Sequence, residues 1–351
     1  MNGVAPAVSI IVPCRNERDH IEASVQSMLA QESVSGGMEI IVADGMSDDG
    51  TRDILRKLEK EDPRLQVVDN PGRIIASGLN LAIRKARGDI IIRVDAHTRY
   101  AADYVYQCVA VLKETGADNV GGPWVAEGKG YIGRAIAAAF RSPFAVGGGG
   151  ARGHDPAYEG PVETVYLGCW PRSVLDRIGL FDEQLVRSED DELNLRLTRS
   201  GGKIWQSPRI KSWYTPRESL GALFRQCVAD GYWKVRVIQK HKLPASVRHL
   251  VPGGFLLSLI TLPLVGLWLP LAMWSWLALS AIYLLSSIVA SLVTARSQGW
   301  GLLLLLPFVF ACYHFGYGYG FLRGVVDFFV LRQPDQKFTK LTRPSRDGAI
   351  E

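Results

Sequence analysis

From residue 251 to residue 295 the chain carries no charged side chain, about 45 positions in a row, where one bilayer-crossing helix needs roughly 20. In hydrocarbon every backbone N–H and C=O must be satisfied within the structure itself, which restricts such a stretch to helices. Pro270 stands near its middle, where a tight turn would separate two spans, 251–269 and 271–293. A second uncharged run covers 297–322 and contains a Tyr/Gly-rich patch from Tyr313 to Phe321. One such run could be the core helix of a soluble protein. Two in tandem point to a membrane, and membrane lipid is the partner they imply.

The first 243 residues follow another rule. Short β-branched runs alternate with segments of helical spacing: strands at 8–12, 39–44 and 65–68, helices at 21–30, 51–61 and 74–86. This alternation predicts an α/β fold with a mostly parallel sheet flanked by helices. The segment from Gly88 to His97 is the next strand, with Ile90, Ile91, Ile92 and Val94 around Arg93. Further on, 104–115 reads as a helix, 117–124 as a strand and turn, 165–170 as a strand and 172–178 as a short helix. Residues 131–140 fit equally a helix lying on a membrane surface or a soluble one. The glycine-rich stretch 142–150 reads as a mobile loop, either a gate over a substrate or a plain linker. The domains expected are therefore 1–243, a cytosolic catalytic domain; 244–331, a membrane domain of two or three apolar helices; and 332–351, a basic tail.

A net charge of +5, with no basic stripe interleaved with aromatics, gives no reason to invoke nucleic acid. The five cysteines (14, 108, 169, 227, 312) show no ligand spacing and suit a reducing compartment. The N-terminal residues reach a strand by Val8 without a basic-then-apolar leader, so no signal peptide is expected.

The chemistry is expected at strand ends. Ligands of open α/β sheets bind at the carboxyl edge. There Asp95 and His97, two residues apart, can point to one side and hold a divalent metal against a phosphate. Asp44 ends the strand 39–44, where it either forms a turn with its neighbours or accepts hydrogen bonds from a nucleotide. Glu189, Asp190, Asp191 and Glu192 open a helical segment. Acids there are favoured by the helix dipole, yet crowding also disfavours their ionisation, which suits a general base. A basic, aromatic helix with Arg225, Gln226 and Trp233 then leads towards the membrane.

In order, Pro13-x-x-Asn16-Glu17, Asp44-Gly-x-Ser-x-Asp49-Gly-Thr51, Gly88-Asp with Asp95-x-His97, and Ser188-Glu-Asp190 resemble family 2 glycosyltransferases of the GT-A fold over roughly residues 8–240. The resemblance is strongest to membrane-bound exopolysaccharide enzymes of the succinoglycan type. It implies a nucleotide-sugar donor, usually a UDP-sugar, with Pro13, Arg15, Glu17, Asp44, Arg73, Asp95 and Arg225 at the donor. It further implies Asp95 and His97 on Mn²⁺ or Mg²⁺, Asp190 as catalytic base with Glu189 beside it, and Trp170, Gln226 and Trp233 near the acceptor. That acceptor is a lipid-linked, polyprenyl-diphosphate-borne saccharide. The sequence departs from the pattern twice: His97 replaces the usual Asp, which favours Mn²⁺, and Gly45 replaces a second Asp.

One base without an opposing nucleophile implies direct displacement with inversion. A processive synthase is expected to carry spans ahead of its catalytic domain, and residues 1–243 show none. A non-catalytic nucleotide-sugar-binding partner would have no use for Asp95, His97 and Asp190. Arg248 precedes the first span, Arg296 follows the second, and Arg323, Arg332, Lys337, Lys340, Arg343 and Arg346 follow the third run. By the positive-inside rule the protein is expected to be multi-pass in the inner or plasma membrane, its catalytic domain cytoplasmic. A crossing by 302–322 would carry the basic tail outside, whereas a re-entrant or interfacial course would not. A topology reporter fused after Arg343 distinguishes the two and, by the charge rule, should read cytoplasmic.

Overall fold

A computed structural model describes residues 6–147, 153–244 and 246–332. Gly148–Gly150 of the glycine-rich stretch and residues 333–351 of the basic tail lie outside them. The described residues pack as two units, one from 6–125 and 153–214, the other from 126–147 and 215–332.

In the first unit, β1 (Val8–Cys14), α1 (Ile21–Leu29), β2 (Met38–Asp44), α2 (Thr51–Glu61), β3 (Leu65–Asp69), α3 (Ile75–Lys85) and β4 (Ile90–Arg93) alternate as anticipated. Then come β5 (Arg99–Tyr100), α4 (Tyr104–Thr115), β6 (Asn119–Gly122) and β7 (Val125–Ala126). After the helices α5 (Gly130–Phe140) and α6 (Pro143–Val146) of the second unit, the first resumes with β8 (Gly160–Pro161) and β9 (Tyr166–Pro171). It ends with α7 (Arg172–Ile178), α8 (Glu189–Arg199), β10 (Ile204–Gln206) and β11 (Ser212–Tyr214). Eight of the described strands form one sheet in the order β3-β2-β1-β4-β9-β6-β10-β8, and β5, β11 and β7 form a second. Pairs β1–β2, β2–β3, β1–β4 and β6–β10 are parallel, while β9 runs antiparallel to both β4 and β6. The expected sheet is present. The short strands β5, β7, β8, β10 and β11 were not foreseen, since two or three residues show no period.

Alternation along β1 builds a core on each face. Val8, Ile10 and Val12 pack with Val25 and Met28 of α1, Leu55 and Leu58 of α2, and Val105 and Val111 of α4. Ile11 turns the other way, onto Leu79 and Ile83 of α3, Leu175 of α7 and Leu193 and Leu197 of α8. Each fully buried aliphatic of this kind stabilises by about 1.5–3 kcal/mol. The parallel register sets Cys14 beside Asp44 and Ile11 beside Arg93, so β1, β2 and β4 all end at one edge. The loops that follow them are therefore neighbours.

The second unit also contains α9 (Leu220–His241), α10 (Val251–Gly266), α11 (Pro270–Gln298) and α12 (Leu306–Val325). Two segments, Val247–Gly266 and Pro270–Gln298, are long and apolar enough to cross a membrane, and only 6% and 17% of them is buried in the structure. A soluble core helix would be mostly covered. Pro270 opens α11 at its first turn, where its missing N–H costs nothing, so the anticipated turn is in place.

The Tyr/Gly-rich run becomes α12, a continuous helix laid along α9. Gly316, Gly320 and Gly324 recur every four residues and share a face. A Cβ at Gly320 would collide with the Val228 carbonyl, and one at Gly231 with that of Tyr317. The two backbones thus meet as small-residue helix pairs do. Helix α5 turns Ala135, Ile136, Ala138 and Ala139 onto Leu302, Leu306 and Phe310, so its apolar face covers protein rather than lipid. The start of the expected mobile loop is ordered: Ser142 caps α6, and the Phe144 carbonyl binds His314 Nε2 at 2.7 Å.

Gly320→Ala should lower the thermal stability of the detergent-solubilised chain by about 1–3 kcal/mol, the usual cost of overpacking. Gly254→Ala, which has open space around it, should be neutral in the same melt.

Candidate functional site

The loops after β1 and β2 are stapled together, and motif residues supply most of the staples. Arg15 donates to the Gly45 carbonyl at 2.8 Å, and the Asn16 N–H to Ser47 Oγ at 2.9 Å. The Asp48 N–H donates back to Asn16 Oδ1 at 3.1 Å, and the Glu17 N–H to Thr51 Oγ1 at 2.9 Å. Asn16 (φ 53) and Met46 (φ 58) hold left-handed backbone to allow this. A Cβ at Gly45 would lie 3.2 Å from that of Arg15 and 3.3 Å from the Cys14 carbonyl, a tight fit for the Asp that the family pattern often carries here. Pro13 and Arg15 are half-buried at this rim.

Asp44, expected at the donor, is enclosed by its own turn. It is fully buried, with Ser47 donating to it through both N–H (3.1 Å) and Oγ (2.5 Å), and Arg52 NH1 3.2 Å away. In this structure its carboxylate organises its own turn instead of facing a cleft. A base reaches it only by displacing Ser47 or Arg52. Arg73, also expected at the donor, is exposed in the turn before α3 with left-handed backbone (φ 58).

The Asp95–Thr98 loop is held at both ends. Tyr100 Oη accepts from the Asp95 N–H at 2.7 Å and donates to the Asp95 carbonyl at 3.1 Å. Thr98 Oγ1 and Tyr166 Oη share a hydrogen bond of 2.7 Å. Behind Tyr166 lies an aromatic layer: Trp124 stacks on it at 5.0 Å, and Tyr214 meets Trp124 edge-on at 5.6 Å. Glu17 is 7% exposed, and its Oε1 lies 3.5 Å from His97 Nδ1. This is where a residue would sit to orient a metal-bound imidazole. Asp95 and His97 fit a divalent ion as a carboxylate and an imidazole on one clamped loop. Among the described residues no three His, Cys, Asp or Glu side chains converge. The protein would therefore supply two ligands and leave the others to diphosphate and water, as is usual for such ions.

Arg93 joins this loop to α8. It is 5% exposed, with NH1 donating to Glu189 Oε1 at 3.1 Å and NH2 lying 3.5 Å from Asp95 Oδ1. Ser188 enters the helix with φ 61, a strained conformation of the kind found at functional sites. The acidic quartet then divides. Glu189 is neutralised by Arg93, and Glu192, fully buried, binds Arg196 at 2.8 Å. Asp190 is half-buried and accepts from the Asp191 N–H at 2.8 Å. Its carboxyl is pushed up to about 7, by burial first and then by Glu189 and Asp191, with Arg93 opposing. A carboxylate held near neutrality can take a proton from a hydroxyl at physiological pH.

Other expected residues are enclosed or belong to the second unit. Trp170, expected at the acceptor, is 1% exposed and packs edge-on against Phe181 at 6.1 Å. The pairing of β9 with β4 turns it into the core beside Ile91. Trp233, given the same role, is fully buried on α9 against Tyr232 and Phe328. Arg225 is exposed on α9, and Gln226 accepts from Arg217 at 2.8 Å; both belong to the second unit. The residues that sequence reading passed over are Arg93, Tyr100, Tyr166 and Trp124. Only Arg93 announced itself, as a lone charge inside an apolar strand.

Residues 9–143 match the family model described as glycosyl transferase family 2. The chain is 33% identical over 245 residues to the succinoglycan biosynthesis protein ExoA of Rhizobium meliloti, covering 69% of this chain and 73% of that one. It is 25% identical over 328 residues to a dolichyl N-acetyl-alpha-D-glucosaminyl phosphate 3-beta-D-2,3-diacetamido-2,3-dideoxy-beta-D-glucuronosyltransferase of Methanococcus voltae, covering 91% and 97%. Among solved structures, the mannosyltransferase PcManGT from Pyrobaculum calidifontis, in complex with GDP-Man and Mn²⁺, superposes with a TM-score of 0.58 at 20% identity, covering 93% and 88%. The fold is GT-A, with two apolar helices towards the C-terminus.

Removing Arg93 would strand two neighbouring carboxylates, a change that typically costs about 3–5 kcal/mol. Arg93→Gln should show that loss in chemical denaturation. An unchanged midpoint would mean that the buried ion pair does not bind strand to helix.

Proposed function

The chain belongs to glycosyl transferase family 2, and on that premise we propose that it moves a sugar, with inversion, from a nucleotide-sugar donor to a membrane-anchored acceptor during polysaccharide assembly. The observation that carries this reading is Asp190, an acid held near neutrality and tied through Arg93 to the loop of Asp95 and His97.

The acceptor hydroxyl loses its proton to Asp190 as its oxygen attacks the anomeric carbon. The bond from that carbon to the diphosphate breaks on the opposite side, and its electron pair leaves with the diphosphate. Arg93 pairs with Glu189, which holds that side chain away from the acceptor. Asp95 and His97 would hold Mn²⁺ or Mg²⁺, with Glu17 behind the imidazole. Such an ion, when bound, neutralises charge developing on the leaving diphosphate. Arg15 and Arg73 are the cations of this unit assigned to the donor; Arg225 is assigned there by the motif resemblance alone. The Trp124–Tyr166 layer adds a surface on which a sugar ring can stack while water is excluded.

Uracil is the base that the motif resemblance implies. The lipid-linked nature of the acceptor is supported by the two apolar helices and by the relative named for a dolichyl-linked substrate. A polyprenyl-linked saccharide fits both, and the diphosphate linkage is what the motif resemblance implies. Residues 1–243 serve as the catalytic domain and 244–331 as the membrane anchor, the former on the cytoplasmic side where the basic flanks belong.

Asp190→Asn should bind donor as the parent does and lose transfer by at least about 100-fold; near-parental turnover would refute the assignment. Because a protonated base is silent, kcat/KM should rise with pH to a plateau above about 7, and this acid limb should vanish in Asp190→Asn. Stability runs the other way. The folded acid keeps its proton to higher pH than the unfolded chain, so this group's contribution is full below its ordinary 3.8 and lost as pH approaches about 7. Chelation should stop transfer, and Mn²⁺ should restore it better than Mg²⁺.

A further inference from the structure

A cleft of about 380 Å³ opens in the second unit between α5 and the turn after α11. Its lining is one-sided in charge. Arg134 and Arg141 contribute from α5 together with Tyr131; Gln298 and the backbone of Gly299 and Gly301 contribute from the turn; no Asp or Glu is among the lining residues. The arginines are two helical turns apart, so they stand on one face about 10 Å apart along the axis. Arg134 is exposed and spends only Nε, on its own helix at the Gly130 carbonyl (3.2 Å). The Arg141 guanidinium is half-buried and has no ion pair among the described residues. Two guanidinium groups on one face without a counter-charge leave donors for an anion placed between them.

The depth of this cleft follows from its wall. Helix α11 has 29 residues, about 43 Å at 1.5 Å each, against a hydrocarbon core of about 30 Å. Its last turn carries Arg296 and leads into Gln298 and Gly299, so this end emerges among the lipid headgroups on the side where basic residues gather. The opposite face of α5 is packed against Leu302, Leu306 and Phe310, which fixes both arginines on a rigid support.

Guanidinium forks, a phenol and an amide, at headgroup depth and without acids, suit a phosphate. We propose that this cleft seats the phosphate headgroup of an anionic membrane lipid, an inference that rests on the membrane-bound reading above. A lipid-borne phosphate is the shared chemistry; the diphosphate of the acceptor and the head of a bulk phospholipid both supply it.

The test uses the full chain in phosphatidylcholine nanodiscs, without donor, reading retained lipid by native mass spectrometry. Separate arms add phosphatidylglycerol, a polyprenyl diphosphate, or inorganic phosphate in the buffer. The parent chain should retain the anionic lipids over phosphatidylcholine. Arg134→Gln combined with Arg141→Gln should weaken retention by about tenfold or more, the loss expected for charge-assisted hydrogen bonds. Lysine at both positions should keep most of it, which separates lost charge from lost fold. Equal retention of the two anionic lipids marks a general headgroup site, and preference for the polyprenyl diphosphate marks the seat of the acceptor; both sustain the proposal. No selectivity in the parent chain, unchanged retention in the double Gln variant, or saturation by inorganic phosphate alone would overturn it. Asp190→Asn should retain lipid as the parent does, so failure of the base assignment leaves this result standing.

Discussion

The first unit depends on one buried cation. Arg93 leaves the end of β4 with almost no solvent contact and meets Glu189 of α8 at 3.1 Å and Asp95 at 3.5 Å. Burying any one of these charges alone would cost several kcal/mol. Together they are tolerable, and the arrangement fixes a helix start against a strand end that lies 96 residues away in the chain. Asp95 can then face the cleft, and Asp190 inherits a setting in which burial and two acidic neighbours outweigh one shared arginine. Its readiness to accept a proton follows from that imbalance: a closer arginine would lower its affinity for protons, and no arginine would leave the cluster too repulsive to assemble.

Several residues that mark the family in sequence prove to be scaffolding. Asn16, Ser47, Asp49 and Thr51 tie two loops to each other, with Thr51 Oγ1 donating to Asp49 at 2.6 Å while accepting from the Glu17 N–H. Glu192 and Arg196 pin the start of α8 to the end of α7 through the Ile178 and Leu180 carbonyls. A motif of this kind persists as a unit because each polar group, once buried, needs its partner. The network leaves Asp95 and Asp190 half-buried and His97 exposed.

The second unit solves a different problem. Helices α10 and α11 are apolar all round and barely covered by protein, whereas α9 carries charges and needs a partner without bulk. The glycines of α12 provide it by letting the backbones touch, which explains a Tyr/Gly-rich run inside an otherwise aliphatic stretch. Helix α5 closes onto the same cluster with alanines and leaves its arginines outside.

The sequence by itself determined the alternating strands and helices, the two apolar helices broken at Pro270, and the acids at the strand ends, because each of these is written in local periodicity, charge and turn chemistry. It also marked Asp190, since four acids at a helix start are conspicuous. It could not determine which polar side chains face a ligand. Asp44, Trp170 and Trp233 carry the right chemistry but are enclosed by Ser47 and Arg52, by Phe181, and by Tyr232 with Phe328. Nor could it find Tyr166 and Trp124, whose roles rest on contacts with residues far away in the chain, or Tyr100, whose role rests on the turn that folds it back onto Asp95. Local pattern reports what a residue can do; only tertiary packing decides which of its faces remains open to do it.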